Sequence, residues 1–336
     1  MFQRRVSLIT AALVAAVCAV SSSAWAQQRT AKLAAEQPLD VWPTKPVKLL
    51  VGFPGGTSPD IAARILAEPL SKALGQPIVV ENRPGASGNI AADAIAKATD
   101  NHTLGIVING NLTSAKMLYS KLPYDPAKDF AYISLLAVSP LVLVTTPDQP
   151  GGAEFFNAAR NGGDKWNYGS PGNGTVGHLG MEYLKSKISS MTAVHVPYAG
   201  YPQVATAMLG GQLQMALMAP AVAMPQVRAG KLKAIGVTGG RSPLLPEVPS
   251  LTEAGLREFN LEVWNALVGP ANLSAGAQAK LNAEVGKIIR DADTRQKLFN
   301  QGWQAVGSSP EGLKLRVATE ANIMGGIIAM RGIKVE

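Results

Sequence analysis

Cysteine is nearly absent: the only one among the 336 residues is Cys18. That excludes an intramolecular disulfide, a CxxC redox pair and a thiolate zinc site. Histidine is almost as scarce. His102, His178 and His195 fall in no HExxH or other short ligand spacing, so no metal site is expected, and each reads first as a structural hydrogen-bonder. No GxSxG nucleophile elbow occurs, because Gly85-Ala86-Ser87 runs on into Gly88-Asn89 and Gly56-Thr57-Ser58 into Pro59-Asp60. Charged residues make up only 16% of the chain, against about 25% in ordinary soluble proteins. The basic ones are scattered with no run longer than two, which argues against a nucleic-acid partner. After residue 26 no apolar run approaches the length that spans a bilayer.

The first 26 residues, MFQRRVSLITAALVAAVCAVSSSAWA, place Arg4 and Arg5 before an apolar stretch and a closing Ala24-Trp25-Ala26. This is the order of a secretory signal peptide, with cleavage expected after Ala26 and the mature protein expected in the periplasm. The arginine pair leaves Sec and twin-arginine export both open. Removing Arg4 and Arg5 from the 31 basic residues leaves 29 against 23 acidic ones, a net charge of +6. A diffuse positive field of this size is compatible with attracting small anions.

From Gln27 to Val41 the chain is polar and Ala-rich and reads as a flexible lead-in. Beyond it, β-type runs alternate with helix-length segments. Val47–Val51, a helix from Pro59 to Leu74, Ile78–Val80, a helix from Asn89 to Ala98 and Leu104–Ile108 form one such series. A second contains Lys165–Tyr168, a helix over Thr175–Lys187, Ala193–Val196, a helix from Gln203, Gln214–Met218 and Leu232–Val237. Strands alternating with helices imply parallel α/β sheets. Ser58 suits an N-cap, Pro59 the first helical turn and Gly75 the helix end. Leu141–Thr145 and Trp264–Val268 are read as strands near the two crossings, and helical patterns fill the chain from Ala275 onward. The expected division is 42–144 with 265–336 as one lobe, 145–264 as the other, and a cleft between them. The end of the chain is expected to pack on the first lobe.

Two Gly-rich turns carry the candidate chemistry. GFPGGTSPD, from Gly52 to Asp60, joins a strand to a helix start, where free N–H groups and the positive end of the helix dipole make an anion site. It lacks the lysine and spacing of a phosphate-binding P-loop. YGSPGNGTVGH, from Tyr168 to His178, matches GxGxxG, but AVHVPYAGY offers no acidic residue to hold a ribose, so no dinucleotide or other cofactor is expected. What remains is a second uncharged cradle, with Ser170, Asn173 and Thr175 as small polar donors. Asn109, Asn111 and Thr113 follow Leu104–Ile108 and can reach the same cleft or form an ordinary turn. Facing cradles suit a small carboxylate held between lobes.

At these residues the chain resembles the Bug (TctC-like) periplasmic solute-binding proteins of tripartite tricarboxylate transporters. The matching stretches are WPTKPVKLLVGFPGGTSPDIAARILAEPLSKALGQPIVVENRPGASGNIAA, LYSKLPYDPAKDFAYISLLA, NYGSPGNGTVGHL, VHVPYAG, LLPEVPSLTEAGL and the closing GIKVE. The resemblance implies a two-lobe, type II-like Venus-flytrap fold that closes on a carboxylate, membrane transporter subunits as partners, a monomer, and no reaction. By motif position the ligand contacts fall on Phe53 to Ser58, including Gly56 and Thr57, and on Ser170, Asn173, Gly174, Thr175 and His178, with Tyr198 nearby. Asp60 matches the family aspartate, and pairing with Arg64 is an equally good reading of it. Asn82 to Gly85 reads as a structural turn. Met218 stands where many relatives carry an aspartate, so the expected ligand has no ammonium group and rests against Met218 and Trp264, although both also read as core. A ligand-dependent signalling receptor and an exported enzyme are the competing readings.

Overall fold

The computed structural model describes residues 42–162, 165–188 and 191–335. The expected signal peptide and the whole lead-in lie outside them. Among the described residues there are two sheets, one for each expected lobe. The first is built from β1 (Val47–Val51), β2 (Ile78–Asn82), β3 (Thr103–Ile108), β4 (Phe130–Pro140), β10 (Glu262–Pro270) and β11 (Gln304–Ala305), in the order β2-β1-β3-β10-β4 with β11 on the β4 edge. The second holds β5 (Val142–Thr145), β6 (Asn167–Ser170), β7 (Val194–Pro197), β8 (Met215–Met218) and β9 (Lys233–Val237), in the order β7-β6-β8-β5-β9. In each sheet the first three strands run parallel, and one strand, β10 or β5, lies antiparallel between two others. That strand is the one that follows a crossing between lobes.

The first crossing lies earlier than the sequence suggests. Val142 to Thr145 pair with β8 and β9, so the chain leaves the first sheet at Pro140–Leu141 and not near Thr145. It returns at Glu262, two residues before Trp264. Thr238 ties the two crossings together: its hydroxyl accepts from Leu141 N–H at 2.9 Å and donates to the Leu261 carbonyl. The 11-residue β4 is absent from the sequence reading, because FAYISLLAVSP is apolar nearly throughout and lacks the alternation that marks a half-exposed strand. It is buried on both faces, between β10 and β11 and under the helices.

The helices are α1 (Ser58–Leu74), α2 (Asn89–Ala96), the short α3 (Asn109–Leu112) and α4 (Ala115–Leu118), α5 (Gly152–Asn161), α6 (Val176–Lys187), α7 (Tyr201–Leu209), α8 (Pro220–Arg228), α9 (Ala275–Arg290), α10 (Ala292–Asn300) and α11 (Pro310–Arg331). Thr57, not Ser58, is the N-cap of α1, and its hydroxyl donates to the Pro54 carbonyl at 2.6 Å rather than capping the helix. Gly75 ends that helix in the left-handed conformation. α11 departs from expectation. Leu313 and Val317 pack into the first-sheet core with Trp264, but Met324, Ile327 and Ile328 join the second-lobe core, and Arg331 Nε donates to Glu182 Oε2 at 3.0 Å. The last helix is therefore a strap across both lobes.

Candidate functional site

The lobes meet at the loops that follow β1, β3, β6 and β7. Ser114 Oγ donates to the Gly174 carbonyl across the interface at 2.6 Å, and Tyr119 Oη reaches the Asn173 carbonyl at 3.4 Å. Gly172 is at φ +124°, and a Cβ there would stand 2.4 Å from Ser87 Oγ of the first lobe. Gly52 is constrained by closeness: a Cβ would lie 2.5 Å from Gly88 Cα, which is backbone and cannot yield.

Between these loops lies a small cavity of about 40 Å³. Thr57, Ser58 and Pro59 bring the start of α1 to it, Thr175 and Val176 that of α6, Gly200 to Pro202 that of α7, and Ala219 that of α8. Four helix N-termini, one from the first lobe and three from the second, thus converge on one space. Each carries first-turn N–H groups without an intrahelical acceptor and about half a positive elementary charge. Pro59, Pro202 and Pro220 each remove one of those donors. The rest of the wall is Phe53, Ile108, Pro171, Val263, Asn265 and Trp303, so no charged side chain lines the cavity.

Only some of the expected site residues reach the cavity. Phe53, Thr57, Ser58 and Thr175 stand on the cavity wall. Asn173 and Tyr198 line a more open crevice of about 450 Å³, separated from the cavity by Phe53 and Pro171, which border both. The others brace the loops. Gly56 N–H donates to Asp60 Oδ2 at 2.9 Å. Asn111 accepts from Ile108 N–H and donates to Ser87 O and Asn89 Oδ1, while Asn109 donates to Glu262 O and Glu320 Oε1 at the hinge. Met218 is fully buried in the second-lobe core, with only its neighbour Ala219 on the wall. Trp264 points to the opposite face of β10, where Nε1 donates to Glu320. The ligand contacts expected from Met218 and Trp264 are therefore not where these side chains sit: both are core residues.

Asp60 is buried and turned into its own loop, where Arg64 donates at 3.0 and 3.1 Å and Asn82 Nδ2 at 2.9 Å. Burial alone pushes this carboxyl up, but the hydrogen bonds from Arg64, Gly56 and Asn82 outweigh it and hold the group below the ordinary range. Asn82 Nδ2 also donates to Phe53 O, so the NRPG turn and Asp60 together set the β1–α1 loop.

In the second lobe the equivalent brace is uncharged. His178 Nδ1 accepts from Gly174 N–H at 3.1 Å and its ring stacks on His195 with centroids 4.0 Å apart, while His195 Nε2 lies 2.7 Å from Ser170 Oγ. Burial pushes both imidazoles down, His178 to about 4 and His195 to about 3. The Ser170–His195 contact has the spacing of a hydrolytic pair, but an imidazole so depressed is a weak base, and Ser170 is fully buried and also bonded to Gly172. It shapes a loop. Sequence spacing missed this pair, because the two residues meet only through the parallel pairing of β6 with β7.

Asn265, Trp303 and Val263 on the wall also escaped the sequence reading. In β10 the residues at 263 and 265 share one face by the two-residue period of a strand. The available signal was a lone amide inside the otherwise apolar run WNALVGP.

The model of the tripartite tricarboxylate transporter family receptor matches residues 62–333. A UPF0065 protein of Pseudomonas sp. (strain P51) is 34% identical over 280 residues, covering 82% of this chain and 83% of its own. A solved R. palustris protein with adipate is 29% identical at TM-score 0.81, covering 87% of this chain and 99% of its own. MatC from Rhodopseudomonas palustris, with bound malate, is 30% identical at TM-score 0.75, covering 86% and 98%. No helix among the described residues is long and apolar enough to cross a membrane.

Proposed function

Because the chain belongs to the tripartite tricarboxylate transporter receptor family, we propose that it captures a small carboxylate between its lobes in the periplasm and delivers it to the membrane subunits of such a transporter. The observation that carries the reading is the convergence of four helix N-termini on a cavity with no charged side chain. An anion there meets N–H dipoles from both lobes, and charge-assisted hydrogen bonds are roughly twice as strong as neutral ones. An ammonium group meets no carboxylate on the wall and loses its hydration without replacement, so amino acids are excluded. The apolar majority of the wall suits a short hydrocarbon body. Contributions from both lobes favour the closed arrangement, since a ligand shifts a two-state equilibrium only by its differential affinity. Binding rather than turnover is the role: the one Ser–His contact is braced inside a loop.

The test is thermal unfolding of the purified protein with aliphatic mono-, di- and tricarboxylates, aspartate, glutamate and nucleotides. A ligand at 100 times its Kd stabilises by about 2.7 kcal/mol, which moves the midpoint by several degrees. Carboxylates without an amino group are expected to give that shift. A response confined to amino acids or nucleotides overturns the reading.

A further inference from the structure

Asn265 is fully buried, faces the cavity, and has neither side-chain oxygen nor nitrogen paired: Oδ1 and Nδ2 both lack a hydrogen-bond partner. It sits on β10 opposite Ile108 of β3, next to a register irregularity where β4 contributes an extra residue against Asn265/Ala266. Such bulges re-aim side chains beside binding sites. Its neighbours on the wall, Ile108, Val263 and Trp303, are apolar. Two of the wall's hydroxyls are already committed, Thr57 Oγ1 to Pro54 O and Thr175 Oγ1 to Gly172 O. Orphaning both atoms of an amide in an apolar wall destabilises the protein, and flipping the amide leaves the problem unchanged.

Resting on the carboxylate reading above, we infer that Asn265 is the specificity-determining residue of the cavity and selects carboxylates that carry a neutral hydrogen-bond donor, a hydroxyl being the simplest. The chemistry follows from what each ligand group offers. A carboxylate oxygen accepts from Nδ2 but has no hydrogen for Oδ1. An alkyl chain satisfies neither atom. An ammonium satisfies Oδ1 but finds no counter-charge. A hydroxyl donates to Oδ1 and leaves Nδ2 to the same oxygen or to a ligand carboxylate. A site built to pair a hydroxyl discriminates against the analogue that lacks it, because its own polar atoms then stay unpaired.

The experiment is calorimetric titration of the full-length mature protein with matched pairs: butyrate against 2- and 3-hydroxybutyrate, and succinate against malate. At least one hydroxylated acid is expected to bind about tenfold or more tighter than its parent. In Asn265→Leu that gap is expected to close to within about twofold while the parent acid still binds, and the ligand-free midpoint is expected to rise, since the orphaned amide is gone. Asn265→Ser, which keeps a hydroxyl on a smaller side chain, retains part of the preference and serves if the leucine variant does not fold. Equal affinity for parent and hydroxylated acids in the unmodified protein shows the amide is satisfied by water and overturns the inference alone. A gap that survives in Asn265→Leu also overturns it. If no carboxylate of any pair binds, the carboxylate reading falls and this inference with it.

Discussion

In the first lobe the cavity-facing loop is held by an ionised group, Asp60, gripped by Arg64, Gly56 and Asn82. In the second lobe the corresponding loop is held by two imidazoles that burial keeps neutral. The strand orders of the two sheets are alike, so topology does not dictate the chemistry of the brace. What both solutions share is that no net charge is left facing the cavity: one charge is cancelled and turned inward, the others never form. On the carboxylate reading proposed above, the wall then attracts an anion through dipoles alone. The two braces differ in how they fail with pH. Each histidine has a folded pKa below its unfolded value of 6.5, so the unfolded chain takes up protons first and the second lobe loses stability as pH falls from about 6.5 toward 4. Asp60, held low, keeps its contribution above the unfolded carboxyl value of about 3.9 and loses it only as pH drops through the lower folded value. Acid therefore loosens the second lobe before the first.

The largest expected effect comes from removing the charged brace. Asp60→Ala leaves the Gly56 N–H without its acceptor and the Asn82 amide with Phe53 O alone, and about 2–3 kcal/mol of stability is expected to be lost in urea unfolding at neutral pH, with weaker carboxylate binding. Next is the acid limb of the stability profile. Between pH 6.5 and 4, two depressed histidines give a slope of up to about 2.7 kcal/mol per pH unit, and His195→Gln is expected to remove about half of it in melts across that range. An unchanged slope would show that the imidazoles do not set the acid sensitivity. The smallest effect is expected from Arg64→Gln, less than about 1 kcal/mol, because the guanidinium is 56% exposed and Asp60 keeps its Gly56 and Asn82 partners. A loss as large as that of Asp60→Ala would mean the cation, not the loop hydrogen bonds, holds the first lobe.

Much of the scaffold was legible because local chemistry and tertiary role coincide there. β1, β3 and α1 follow from apolar runs bounded by Gly-Phe-Pro-Gly-Gly and by Gly75, and the cradle residues Thr57, Ser58 and Thr175 follow from standing at helix starts. The helix behind Gly200 was visible; the one behind Ala219 was not, and neither was their convergence, which depends on how β7 and β8 lie beside β6. β4 was hidden by its own uniform burial. Met218 illustrates a different failure: its strand was read correctly, but the burial of its side chain on the core face, rather than the cavity face, is fixed by packing against the helices. Asn265 and Trp303 lie far along the chain from both Gly-rich turns, and only the insertion of β10 and the α10–β11 turn brings them to the cavity.

That insertion has a consequence for the order in which the molecule is made. The second sheet uses only residues 142–237, a continuous stretch, and has all its strands once that stretch has left the ribosome. The first sheet starts a hundred residues earlier but waits longer, because β10 belongs between β3 and β4. Until residue 270 is available those two strands each present an unpaired edge, the kind of template on which nascent chains pair wrongly. The cavity waits still longer, for Trp303, and the strap α11 comes last of all. The chain thus begins in the first lobe and ends on the second, whose core receives Met324, Ile327 and Ile328 only when that last helix arrives.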